Sequence, residues 1–181
     1  MKKIFFAAAI MAMLSTVNAN AQFGFGAPQQ QNGEPKAPEL EYVVRLNVSL
    51  GQAYSSGDNG KGTRTIIPIT GGTFEGPNIK GTIVNGGADY QIANTALNRT
   101  ELEAIYCIKT DDDVYIHVRN RGIIYPGKDE NGNPSFYFRC APQFEAPADS
   151  KYAWLNNSLF LCAPSFSQGF QGIVLNVWRV K

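Results

Sequence analysis

Few side chains in this 181-residue chain could do chemistry, and most of them lie beside apolar runs. Asp89 follows paired glycines in Gly86-Gly87-Ala88-Asp89-Tyr90, where a carboxylate either ties down a tight turn or faces a cavity and trades a proton with a ligand. Glu75 and Glu103 are the other carboxylates near apolar stretches, and with Asp89 they could supply an acid and a base of separated pKa. Glu103 lies between Leu102 and Ala104, which assigns it to an outer, solvated face. His117 is the single histidine, so any histidine-dependent step must use it. It shares a strand face with Tyr115 and Arg119, opposite Val114, Ile116 and Val118. An aliphatic core therefore turns His117 outward, whereas a barrel holding a polar ligand would reverse that. Asp89, Glu75 and His117 are the catalytic candidates.

Binding candidates come from the same reasoning. Arg139 alternates with Phe138 and Cys140; turned inward, its fixed fork of donors would anchor a carboxylate or phenolate, and turned outward it would meet Glu145 or Asp149. Trp154 combines an apolar body with one N–H, suited to a lid at a cavity mouth or to core packing. Glu75, Asp89, Tyr106, Arg139 and Trp154 are thus the expected lining of a ligand site. The pattern Gly71-Gly72-x-Phe74-x-Gly76 is not a phosphate loop, because strand-like sequence rather than a helix follows it. No cofactor motif is present, and one histidine with no cysteines at metal-ligand spacing gives no metal site.

The elements that must position these groups are strands. Leu40, Tyr42, Val44, Leu46, Val48 and Leu50 alternate with mostly polar residues, as do Leu102, Ala104, Tyr106 and Ile108, and then Val114, Ile116 and Val118. Further strands are expected over 63–70, 73–75, 81–84, 89–92, 135–140, 158–162 and 172–180, joined by turns such as Gly127–Pro134. A helical turn fits only within 146–155. The pattern predicts an all-β meander of about eight antiparallel strands, closed or nearly closed into a barrel, since glycine bends suit the corners that closure needs.

Residues 66–90, IIPITGGTFEGPNIKGTIVNGGADY, with TDDDVYIHVRNRG at 110–122 and KYAWLN at 151–156, closely resemble the domain of unknown function 3237 family. The resemblance covers roughly residues 39–181. Tyr90 stands where that family usually has tryptophan and Asn85 where it usually has proline. It implies a small barrel similar in shape to allene oxide cyclase and the lipocalins.

Lys2 and Lys3, the apolar run Ile4–Leu14 and Ala19-Asn20-Ala21 read as a secretory signal cleaved after Ala21, giving a periplasmic or secreted protein. Residues 22–38, rich in Gly, Pro, Gln and Asn, read as a flexible leader, and 39–181 as the barrel domain. No later stretch is apolar enough to span a bilayer. Removing two lysines leaves 14 basic and 15 acidic residues, a balance that excludes a general nucleic-acid binder. Of Cys107, Cys140 and Cys162, the meander places the last two toward opposite ends of neighbouring strands, so three buried thiols without a bridge are expected. The sequence leaves oligomerisation open. It points first to an exported barrel that binds a small apolar or aromatic molecule. A cyclase, isomerase or lyase using a carboxylate or tyrosine is the second reading, and a cell-envelope protein with a packed barrel the third.

Overall fold

The computed structural model describes residues 34–181; the stretch expected to be a signal, 1–21, and most of the expected leader, 22–38, lie outside the described residues. Ten strands follow in order: β1 (Leu40–Leu50), β2 (Tyr54–Asp58), β3 (Thr63–Glu75), β4 (Lys80–Ile83), β5 (Gly87–Asn94), β6 (Arg99–Thr110), β7 (Tyr115–Lys128), β8 (Pro134–Glu145), β9 (Phe160–Ser165) and β10 (Gly172–Val180). Among the described residues the one helical piece is a 3-10 helix, Ala153–Asn157, inside the segment expected to turn.

All neighbours pair antiparallel, and β1 pairs with both β10 and β3, which closes the sheet into a barrel. β4 and β5 share one place in the wall, because both lie between β3 and β6. β2 extends the β1 side of β3 in the same way. The ten strands therefore fill eight positions of an up-and-down meander, the eight-stranded barrel expected from period-two hydrophobicity.

Closure depends on places where two backbones nearly touch. At Gly72, with φ +133°, an added Cβ would lie 2.0 Å from the Asn47 carbonyl oxygen, so only glycine lets β3 bend there against β1. The bulge between Tyr42 and Val44 on β1 buries Val43 as well as Val44, which a strict alternation would have turned outward.

The barrel is filled unevenly. Its lower half is packed with Val44, Leu46, Phe74, Ile83, Ile108, Ile116, Val118, Phe144, Phe160 and Val177. Phe144 and Phe160 meet edge to face with centroids 4.9 Å apart. The floor is latched by Tyr152, whose hydroxyl donates to Asp112 Oδ1 at 2.6 Å, and by the Lys151–Asp112 ion pair at 3.0 Å. Above this core the strands β3, β5, β6, β7 and β8 continue past the short β9, and the interior opens.

Candidate functional site

Strand parity sets the lining of the upper interior. On β6, Leu102, Ala104 and Tyr106 point inward and Glu101, Glu103 and Ile105 outward. Ladder register carries that face to Asp89 and Gln91 on β5, to Asn120 and Ile124 on β7, and to Phe138 and Cys140 on β8. With Val48, Leu50, Ile67, Ile69, Ile173, Leu175 and Phe166 they enclose a cavity of about 120 Å³. A chamber of that size accepts roughly one aromatic ring.

Four polar side chains, Asp89, Gln91, Tyr106 and Asn120, break this apolar wall. Asp89 stands opposite Ala104, and Ala104 opposite Asn120, so both polar residues lie on one row of the ladder. Tyr106 stands two residues beyond Ala104 on the same face, diagonal to both neighbours, within reach of a long side chain. Tyr106 and Asn120 are buried, at 4% and 3% exposure.

Their electrostatics follow from burial. Asp89 Oδ2 accepts a 2.7 Å hydrogen bond from Gln91 Nε2, but Oδ1, also buried, has no side-chain partner among the described residues. Burial raises the carboxyl's pKa above its ordinary value; bonds from Gln91 and the Glu103 backbone pull it back less strongly. The Tyr106 phenol is pushed up chiefly by burial, with Cys162, Cys140 and Asp89 adding to the shift, so it remains a donor. Asn120 Oδ1 is a second buried acceptor without a partner. A ligand hydroxyl entering the chamber would meet the protonated Tyr106 phenol beside the Asp89 and Asn120 side chains.

Among the sequence candidates, the structure brings Asp89 and Tyr106 together and places the others elsewhere. Glu75 is exposed beside a surface depression with Tyr42, Arg45 and Asn47. Arg139 points out of the barrel; its Nη1 donates to the Phe138 carbonyl at 2.7 Å and its guanidinium lies 5.7 Å from the Tyr137 ring. It lines an outer groove of about 540 Å³ with Arg64, Tyr90, Glu103, Arg121 and Leu161. His117 also faces outward, its Nδ1 3.6 Å from Glu145 Oε2. Trp154 sits at the opposite, closed end, packed on Phe160 and under the Arg179 guanidinium at 5.5 Å, as a floor plug rather than a lid.

Of the cysteine expectation, all three thiols are free and Cys140 and Cys162 are buried, but two parts need correction. Cys140 and Cys162 are direct partners across β8 and β9, not at opposite strand ends, because the six-residue β9 pairs with the middle of β8. Cys107 is only partly buried, on the outer face opposite His117. Asn120 and Gln91 escaped the sequence reading although each continues a legible parity: Asn120 follows Ile116 and Val118, and Gln91 follows Asp89. The described residues contain no group of three or more metal-ligating side chains and no helix long and apolar enough to cross a membrane.

The fold is that of a small antiparallel barrel protein with a chamber in its upper half. The chain belongs to the family described as Protein of unknown function (DUF3237), whose model matches residues 38–180. It is 37% identical over 151 residues to a UPF0311 protein of Rhodopseudomonas palustris, covering 78% of this chain and 96% of the relative. The crystal structure of a conserved protein of unknown function from that organism superposes with a TM-score of 0.71 at 32% identity, covering 81% of this chain and 100% of the other. A beta-barrel like protein from Acinetobacter baumannii matches with a TM-score of 0.71 at 30% identity, covering 81% of this chain and 98% of the other. A more distant relative is the hydroalkoxylation enzyme phnH of Penicillium herquei, 28% identical over 124 residues, which cover 68% of this chain and 72% of that enzyme.

Proposed function

We propose that this chain is an exported enzyme of the isomerase or cyclase kind, which takes a small aromatic or apolar molecule into the upper chamber and moves a proton on it. The observation that carries this reading is the Asp89 carboxyl, raised in pKa by burial and set in the wall of an apolar cavity beside Tyr106 and Asn120, with no side-chain partner on its buried Oδ1. A site that only bound an apolar ring would gain nothing from leaving two buried oxygens unsatisfied.

The chemistry that fits is addition of a hydroxyl across a carbon–carbon double bond within one molecule, a reaction class supported by the enzymatic relative's name. Asn120 Oδ1 accepts the substrate hydroxyl and Tyr106 donates to its oxygen. In its protonated form Asp89 gives its proton to one alkene carbon, the hydroxyl oxygen bonds to the other, and the hydroxyl proton returns to the Asp89 carboxylate. Atoms balance without a cofactor. One ring fills the chamber, and the remainder of the substrate lies on Phe138 and Phe166, whose rings stand 6.5 Å apart at the mouth.

The test uses 2-allylphenols and 2-prenylphenols as probes, with ring closure in heavy water followed by NMR and binding followed by thermal shift. The wild type should close the ring and place deuterium on carbon, while Asp89→Asn should bind the probe and fail to turn it over. Binding without turnover in both proteins would favour the ligand-carrier reading, and no binding at all would favour a structural barrel. Export is tested separately: the protein recovered from the periplasm or medium should begin at Gln22.

A further inference from the structure

The upper barrel wall contains two thiols that the proposed chemistry does not use. Cys140 on β8 and Cys162 on β9 are paired directly in an antiparallel ladder, which puts both sulfurs on the same, inward face. Directly opposed residues in such a ladder have Cα atoms about 4.5–5.5 Å apart, inside the range of about 4.4–6.8 Å that a disulfide spans. Both are buried, at 4% and 1% exposure, in a wall held by flanking ladders on either side. Beyond Cys140 the next position across is Gly122, where an added Cβ would lie 2.4 Å from Cys140 Sγ. That glycine leaves Cys140 Sγ its room in the reduced state.

We propose that Cys140 and Cys162 are a redox pair, closing to a disulfide inside the barrel wall when the chain folds in the presence of a disulfide oxidant. Cys140 attacks the oxidant's disulfide and expels one thiol; Cys162 then attacks the Cys140 sulfur of the mixed disulfide and expels the second. The pair loses two electrons and two protons, and one oxidant disulfide becomes two thiols. Closure draws Cys140 Sγ toward β9 and away from Gly122, which changes the wall of the chamber that Cys140 lines.

Timing follows from the surroundings. In the folded, reduced barrel, a hydrogen bond with Cys140 and burial hold the Cys162 thiol far above its ordinary pKa, so thiolate is scarce and exchange is slow. Before the wall closes, neither restraint applies, so oxidation belongs to folding. An export compartment would supply the oxidant, but the pair's chemistry stands apart from both export and catalysis.

The experiment refolds the full chain from reduced denaturant, with either a reductant or a mixture of reduced and oxidised glutathione. In the glutathione mixture the intact mass should fall by about 2 Da and only Cys107 should remain alkylatable in denaturant. A non-reducing peptide map should join Cys140 to Cys162, and Tm should rise by roughly 5–10 °C over the reduced form. Cys107→Ser should keep these changes, and Cys140→Ser should abolish them. Three alkylatable thiols in folded wild type refolded under glutathione, or a bridge through Cys107, would overturn the proposal; because that reading is on wild type, it survives a variant that fails to fold.

Discussion

Gln91 Nε2 holds Asp89 Oδ2 at 2.7 Å, while Asp89 Oδ1 is buried with no side-chain partner. The two residues share a face because they are two apart on β5, so a single strand supplies both the acid and the group that orients it. One satisfied oxygen fixes the carboxyl plane.

That arrangement costs stability at neutral pH, and the sign can be worked out. A carboxyl whose folded pKa is raised above the ordinary 3.8 favours folding fully only while it is protonated, below that value. The advantage is lost as pH rises through the folded pKa. Asp89→Asn, neutral at every pH, should therefore be more stable than wild type at pH 7 by roughly 0.5–2 kcal/mol, with the gap shrinking below the ordinary carboxyl pKa. Urea unfolding of both proteins at pH 7 and in acid measures it, and equal stability at both would contradict a desolvated carboxyl.

Tyr106→Phe separates packing from chemistry. The ring stays in the core, so the unfolding midpoint should barely move, while loss of the hydroxyl removes the donor that the proposed reaction directs at the substrate oxygen. Ring closure on the phenol probes should fall by roughly 100-fold or more with a smaller change in binding. An unchanged rate would leave Tyr106 as wall only.

The paired glycines before Asp89 have a steric role that mutation can expose. A Cβ on Gly87 would lie 2.4 Å from the Ile105 carbonyl oxygen and 2.5 Å from the Tyr106 Cβ. Gly87→Ala must push β5 off β6 where both site residues are held, and should cost about 1–3 kcal/mol in urea unfolding together with the activity. Gly86→Ala meets no atom within 4 Å but has φ +123°, so it should cost through backbone strain and spare the packing of Tyr106.

The barrel was legible because period-two hydrophobicity and glycine bends both report local physics. The runs Leu102–Ile108 and Ile116–Val118 name their own buried face, and the same parity carries Tyr106 and Asn120 inward. Arg139 was not legible: on β8 both rows, Phe136-Phe138-Cys140 and Tyr137-Arg139, hold aromatics, so only the pairing of Arg139 with outward Ile123 decides its face. Glu75 and Trp154 illustrate a second limit. Parity reports inside or outside but not height, and both residues lie toward the closed half of the barrel, away from the mouth. Cys140 and Cys162 required register across a connection of more than a dozen residues, information that no local pattern holds.

At the barrel floor a second aspartate behaves in the opposite sense to Asp89. Asp112 is solvent-facing, and bonds from the Tyr152 hydroxyl first and the Lys151 ammonium next hold its carboxyl well below the ordinary 3.8. A depressed carboxyl contributes stability that is present above 3.8 and lost as pH falls through the lower, folded value. Tyr152→Phe keeps the buried ring but removes the strongest of these bonds, so it should lower Tm at pH 7 and flatten the fall of Tm on acidification. Asp89→Asn should alter the same acid limb with the opposite sign, since wild type gains there from a protonated Asp89. Tm recorded from pH 7 down to about pH 2.5 for wild type and both variants therefore resolves the two carboxyls, one latching the closed end and one poised in the chamber. Parallel curves for Tyr152→Phe and wild type would show that the floor latch carries no share of the acid sensitivity.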